Sequence, residues 1–209
     1  MDQATVDELI RGKFGARKSN DGRDWYIPSS SDDKVWSQFD VLRGSGSFAE
    51  VLSFERYPDR KDLCVKVSHI RNDEPESYTK TKSMEMYRNE LGALVRTTEA
   101  SIQGVVRLVA STTWNHRPAL ILHYHGTLTL AKALHDKKIT LKKTKDDIIG
   151  QLVQTALDLN VAKMAHNDIA PTNIMLQKKL VRGIWCYHVT LVDLGTATIL
   201  SEDGMSAPP

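Results

Sequence analysis

His166-Asn167-Asp168-Ile169-Ala170-Pro171-Thr172-Asn173 follows a helical stripe made by Ile148, Ile149, Leu152, Val153, Ala156, Leu157 and Val161. Apolar side chains at three- and four-residue spacing bury one face of a helix. The polar stretch after the stripe therefore leaves a packed element and enters a loop stiffened by Pro171. Asp168 and Asn173 stand five residues apart on that loop. A carboxylate and an amide held so close can act jointly, the first accepting a hydroxyl proton and the second offering an oxygen to a metal ion. Residues of these types also cap turns with no chemical role, and alone the pair fits that use better.

Further along, Leu191-Val192-Asp193-Leu194-Gly195 sends a carboxylate off the end of an apolar strand and meets a glycine two residues later. An acidic oxygen presented in this way suits a hard cation. Upstream, Gly44-Ser45-Gly46-Ser47-Phe48-Ala49-Glu50-Val51 lies between two strand-like runs. Its glycines permit a sharp turn and let backbone N–H groups approach an anion. A Gly-x-Gly between strands is more often a plain hairpin turn. It is no Walker loop, because no Gly-Lys-Ser/Thr follows, and no dinucleotide fingerprint, because a strand follows instead of a helix. Lys66 sits inside Leu63-Cys64-Val65-Lys66-Val67. A lone strand lysine usually points to solvent, but antiparallel pairing would bring this one back under the glycine turn.

Around these motifs the sequence predicts a short amphipathic helix over Val6–Phe14 and a polar linker from 15 to 34. Three short strands follow, at Phe39–Leu42, Val51–Glu55 and Leu63–Val67, broken by Pro58-Asp59-Arg60 and arranged as an antiparallel meander. A helix spans 79–97, two strands cover 105–109 and 119–122, and a short helix covers Leu128–His135. The long helix comes next, then a hairpin of Ile174-Met175-Leu176 and Val189–Val192 turning at Arg182-Gly183. The fold class is α+β, strand-rich first and helical later.

Composition narrows the function. With 41% apolar and 26% charged residues the chain is globular, not disordered. Its net charge of +2 implies neither a nucleic-acid nor a membrane partner. No apolar run approaches a bilayer span, and no signal peptide is expected. Two cysteines exclude a disulfide scaffold and a four-cysteine zinc site. The expected setting is intracellular and reducing, cytoplasmic or nuclear. Lys137-Lys138 and Lys142-Lys143 read as a solvated loop, Cys64 as a packed core thiol, and the four tryptophans as packing residues.

Gly-x-Gly-x-Phe-x-x-Val, a strand lysine, a helical glutamate, His-x-Asp-x-x-x-x-Asn and Asp-x-Gly, in this order, strongly resemble the eukaryotic-type protein kinase family over about Gln38 to Gly195. The resemblance implies a bilobal fold: a five-stranded antiparallel N-lobe with one helix, and a helical C-lobe. It divides the chain into an extension at 1–35, an N-lobe with hinge at 36–125, and a partial C-lobe at 126–209. By the same resemblance Gly44, Ser45, Gly46, Ser47, Phe48 and Val51 cover ATP, and Lys66 pairs with its phosphates. Glu90 is then the partner of Lys66, with Glu85 as the competitor. Leu122 becomes the gatekeeper, and His123 and His125 bracket the adenine-binding hinge. Asp168 becomes the catalytic base; Asn173 and Asp193 become Mg²⁺ ligands. The implied activity is ATP-dependent phosphoryl transfer to protein hydroxyls, serine or threonine more than tyrosine.

Several positions depart from the family pattern. Ala49 replaces the third loop glycine, Asn167 the arginine before the base, Ala170 the lysine two residues after it, and Leu194 the phenylalanine of the metal motif. The arginine commonly grips a phosphorylated activation loop, so the resemblance implies no such switch here. Only 16 residues follow Asp193, so the C-lobe is expected to be truncated. A protein partner is expected to complete it at an exposed apolar edge. Two other function classes stay open. One is a catalytically weak binding or decoy module, favoured by Ala170 and the truncation. The other is a small-molecule phosphotransferase, disfavoured by Asp193-Leu194-Gly195 and the glycine loop.

Overall fold

A computed structural model describes residues 17–18, 25–26, 41–45, 48–53, 63–70, 75, 77–114, 117–139 and 142–200. The expected helix at Val6–Phe14, the tip residues Gly46 and Ser47, and the break at Pro58–Arg60 lie outside them. The chain divides into two compact units, Met1–Tyr87 with Leu108–Tyr124, and Arg88–Arg107 with His125–Pro209.

In the first unit, β1 (Arg17–Lys18) and β2 (Trp25–Tyr26) pair antiparallel inside what the sequence reads as a linker. The meander follows as β3 (Val41–Ser45), β4 (Ala49–Ser53) and β5 (Leu63–Ser68). Strands β6 (Leu108–Trp114) and β7 (Arg117–His123) complete a five-stranded antiparallel sheet in the order β3-β4-β5-β7-β6. Strand β7 is internal, and Ala119, Leu120, Ile121 and Leu122 are all buried, which is why it reads as an unbroken apolar run. With Leu63, Val65 and Val67 of β5 they form this unit's core. Each valine, leucine or isoleucine side chain among them contributes roughly 1.5–3 kcal/mol on removal from water. The register slips between Leu42 and Gly44, an irregularity that bends a strand where its glycine turn begins.

Helix α1 (Tyr78–Glu99) begins in the first unit and ends in the second. The second unit then holds α2 (Leu130–His135), α3 (Lys142–Val161) and a 3₁₀ turn at Pro171–Asn173. Thr129 starts α2 by accepting the Lys132 N–H at 3.1 Å, so the helix begins two residues later than its apolar pattern suggests. Strands β9 (Ile174–Val181) and β10 (Ile184–Leu191) form the expected hairpin, turning at Arg182 and Gly183 with φ of 50° and 78°. Strands β8 (Met164–Ala165) and β11 (Thr198–Ile199) form a separate two-residue pair.

The outer edge of β10 is engaged at Tyr187, Val189 and Leu191 without a further strand. Gln151 of α3 donates through Nε2 to the Tyr187 carbonyl at 2.9 Å and accepts the Val189 N–H at 3.1 Å. Leu191 N–H donates to Gly104 O at 2.7 Å, and Val106 N–H donates to Leu191 O at 2.8 Å. These bonds correct one expectation. Val105 and Val106 are not part of a first-unit strand, because their backbone follows β10 in the second unit. Strand β6 starts only at Leu108. A buried backbone group takes whichever partner is nearest, and apolar composition cannot say which. Among the described residues, no helix is long and apolar enough to cross a membrane.

Two glycines should respond oppositely to alanine. Gly104 has φ of 77°, and an added Cβ would collide with Thr155 Oγ1 on α3. Gly104→Ala should therefore destabilise by at least about 1–2 kcal/mol. Gly150, inside α3, has open space around its Cβ position, so Gly150→Ala should stabilise by about 0.5–1 kcal/mol. Urea unfolding of both variants checks the signs; equal signs would contradict the packing described.

Candidate active site

The β9–β10 ribbon delivers two motifs to one place. Ile174 opens β9 opposite Leu191, the last residue of β10. Asn173 and Val192 therefore leave the ribbon at the same end, and Val192 N–H donates to Asn173 O at 2.9 Å. Just before β9, Pro171 opens the 3₁₀ turn, and Asn173 N–H closes it on Ala170 O at 2.9 Å. In this short, stiff turn, Asn173 Nδ2 donates to Asp168 Oδ2 at 2.8 Å and to Asp168 O at 3.2 Å. The Asp168 side chain is exposed while Asn173 is half-buried. One carboxylate oxygen is thus engaged, and the other faces the surroundings as an acceptor.

His166 anchors the loop from beneath. It is 3% exposed. Its Nδ1 accepts the Asp168 N–H at 3.3 Å, and its Nε2 lies 3.2 Å from Val192 O. A ring nitrogen facing a carbonyl must donate, and one facing an N–H must accept. The network therefore assigns the neutral Nε2–H tautomer. Asn167 and Asp193 both take left-handed backbone, with φ of 62° and 64°. Asn and Asp tolerate that region better than other residues with a Cβ, and such positions cluster at functional sites. Asp193 presents an exposed side chain, whereas Leu194 after it is fully buried.

In the first unit, cross-strand register lines up the glycine loop and the lysine. Gly44 opposes Val51, Val51 opposes Lys66, and Lys66 opposes Leu120. Cys64 opposes Leu122 in the same way. Directly opposed residues share a face, so Val51, Cys64, Lys66, Leu120 and Leu122 share one. Glu50 lies on the other face, in a 2.7 Å ion pair with Arg117. Phe48 O accepts the His69 N–H at 2.9 Å, which holds the loop's exit strand. Cys64 is buried, and burial pushes its thiol up to about 12 against a smaller opposing pull from Lys66. It is a packed thiol, as expected, not a nucleophile.

Glu90 and Glu85 separate cleanly by environment. Glu90 is 4% exposed on α1, whereas Glu85 is exposed. A carboxylate is not buried without compensation. His123 closes β7, and His125 Nδ1 lies 3.2 Å from the buried Thr190 hydroxyl. Trp185 departs from the packing expectation: it is 61% exposed near the hairpin tip, with Lys178 Nζ 4.9 Å from its ring centre.

For a metal, Asn173 and Asp193 offer oxygen donors, the hard type that Mg²⁺ prefers. Asn173 gives its Nδ2 to Asp168, which turns Oδ1 the other way. No group of three or more His, Cys, Asp and Glu able to hold a metal occurs among the described residues. The donor set fits an ion that keeps waters and phosphate oxygens in its shell, which is how Mg²⁺ is usually held. The interaction most opaque in the sequence is that of Asn167, whose Nδ2 donates to Thr196 O at 3.0 Å and to Thr198 Oγ1 at 2.7 Å. The only sequence signal was an Asn, tolerant of left-handed backbone, where the family pattern has arginine.

A family profile described as protein kinase domain matches residues 38–207. Among curated proteins, none matches the chain.

Two measurements check the environments described. Iodoacetamide at neutral pH should label the half-exposed Cys186 in the folded chain and reach Cys64 only on unfolding; early labelling of Cys64 would contradict its burial. Glu90→Gln should lower stability by about 1–3 kcal/mol, and Glu85→Gln should stay within about 0.5 kcal/mol. Thermal unfolding would show the opposite order if Glu85 were the structurally committed carboxylate.

Proposed function

The chain belongs to the protein kinase family, and from that premise we propose that it transfers the γ-phosphoryl group of ATP to a serine or threonine hydroxyl of a protein. The observation that carries this reading is the 2.8 Å bond from Asn173 Nδ2 to Asp168 Oδ2. It holds a proton-accepting carboxylate and a metal-binding amide in a fixed relation on one short loop.

In this reading the substrate hydroxyl attacks the γ-phosphorus, and the bond to the oxygen bridging the β- and γ-phosphates breaks. Asp168 takes the hydroxyl proton, and ADP leaves with the bond's electrons. Asn173 and Asp193 would hold Mg²⁺, which would neutralise phosphate charge. Lys66 contacts the α- and β-phosphates, and Glu90 orients Lys66; burial supports Glu90 over Glu85. Gly44, Ser45, Gly46, Ser47 and Phe48 cover the phosphates. Val51 and Leu122 contact the adenine, and the backbone from His123 to His125 hydrogen-bonds it. The shared face of Val51, Lys66 and Leu122 supports these roles. Catalysis of this kind is mostly positioning and charge stabilisation.

One observation favours a second reading. Ala170 offers no charge to the transferred phosphate, as a catalytically weak binding module would tolerate. One further expectation has some support. Ile149, Val153, Leu157 and Val161 form a stripe more than half exposed on α3, in keeping with a protein partner.

Transfer from γ-labelled ATP to a generic protein substrate, with Mg²⁺, tests the proposal. Asp168→Asn should cut the rate about 10²–10⁴-fold, and Lys66→Ala about 10²–10³-fold. A folded parent chain with no transfer would favour the binding module. Unchanged rates in both variants would refute the assigned roles.

A further inference from the structure

The loop that carries Asp168 and the segment that follows Asp193 are zipped together by short, neutral contacts. Strand β8 pairs with β11, Ala165 opposite Thr198 and Met164 opposite Ile199. Leu200 N–H donates to Lys163 O at 2.8 Å beyond one end of that pair. At the other end, Thr196 Oγ1 donates to His166 O at 3.2 Å. Asn167 completes the zipper in the opposite direction. Its Nδ2 donates to Thr196 O at 3.0 Å and to Thr198 Oγ1 at 2.7 Å, so both amide hydrogens have an acceptor.

The composition of the partner segment explains why a neutral amide serves here. Leu194-Gly195-Thr196-Ala197-Thr198-Ile199-Leu200 contains no charged residue. Within that segment a cation at position 167 would meet carbonyl and hydroxyl oxygens but no anion. A short amide fits those acceptors directly, and its left-handed backbone, φ 62°, is one that Asn adopts readily. Two-residue strands contribute little alone, so side-chain bonds have a correspondingly large share in holding this pair.

We propose that Asn167 is a positioning residue: through Thr196 and Thr198 it fixes the segment behind Asp193 to the loop bearing Asp168, and it does so without a phosphate. The tether itself stands apart from the assigned activity; its effect on rate rests on the phosphoryl-transfer reading.

The experiment uses the full chain with Asn167→Gly, which keeps the left-handed backbone and removes the amide, and Thr198→Val, which removes one acceptor at nearly constant shape. Amide hydrogen exchange is followed in 196–200, with the 174–191 hairpin as internal reference. Each variant should exchange roughly 5- to 30-fold faster in 196–200, with the hairpin unchanged. The double variant should be no faster than Asn167→Gly. In turnover, kcat should fall while KM for ATP stays the same. Unchanged exchange in 196–200 would overturn the proposal, as would equal acceleration of the hairpin, which would mark general destabilisation. Should the parent chain transfer no phosphate, the exchange result still decides the tether, and the failure belongs to the proposed activity.

Discussion

Pairing of Ile174 with Leu191 is the constraint on which the second unit's chemistry depends. An antiparallel ribbon returns its two outer ends to one place. Here those ends are Asn173, entering β9, and Val192, leaving β10, joined by a 2.9 Å backbone bond. Shifting that register by one residue would turn the side chains of the shifted strand to the opposite face. In the observed register Ile174, Leu176, Val189 and Leu191 are all buried. Apolar burial thus sets the spacing of polar groups that contribute little to stability themselves.

From that anchored end the loop is built by accounting for polar groups. His166 is buried, and the Asp168 N–H and the Val192 carbonyl face its two ring nitrogens. It bridges the Asp168 loop and the residue that leaves β10. Asn167 and Asp193 spend backbone freedom on left-handed conformations. Each such turn costs free energy that packing on either side must offset. Buried Leu194 and Ala197 supply part of that offset next to Asp193. In the first unit a single row, Gly44–Val51–Lys66–Leu120, does comparable work by cross-strand register alone.

Legibility in the sequence followed the strength of periodic signals. The apolar run of β7 and the β9–β10 hairpin with its Arg182-Gly183 turn are readable because burial constrains many residues at once. Helix α3 is readable from its apolar spacing, although Ile149, Val153, Leu157 and Val161 of that stripe are more than half exposed and only Ile148 is buried. Strands β8 and β11 were not readable, since two residues cannot display a period. Val105 and Val106 looked like a strand of the sheet, but their backbone bonds go to β10. Asp168, Asn173 and Asp193 stand out in the sequence by order and spacing, whereas Asn167 shows only as a departure, because a hydrogen bond across 31 residues leaves no local trace. Glu90 and Glu85 were indistinguishable by interval and became distinct once burial was known.

In the proposed function the Asp168–Asn173 loop offers its amide oxygen, together with Asp193, to a nucleotide-bound divalent cation. Mn²⁺ can stand in for Mg²⁺, because it also favours oxygen donors and broadens nearby nuclear resonances. The most direct measurement is the Asn173 side-chain amide resonance during Mn²⁺ titration, with and without ATP. The account predicts selective broadening of Asn173 and of the Asp193 backbone that requires ATP, while the Arg182-Gly183 turn stays sharp. Broadening confined to other carboxylates, or none with ATP bound, would contradict it.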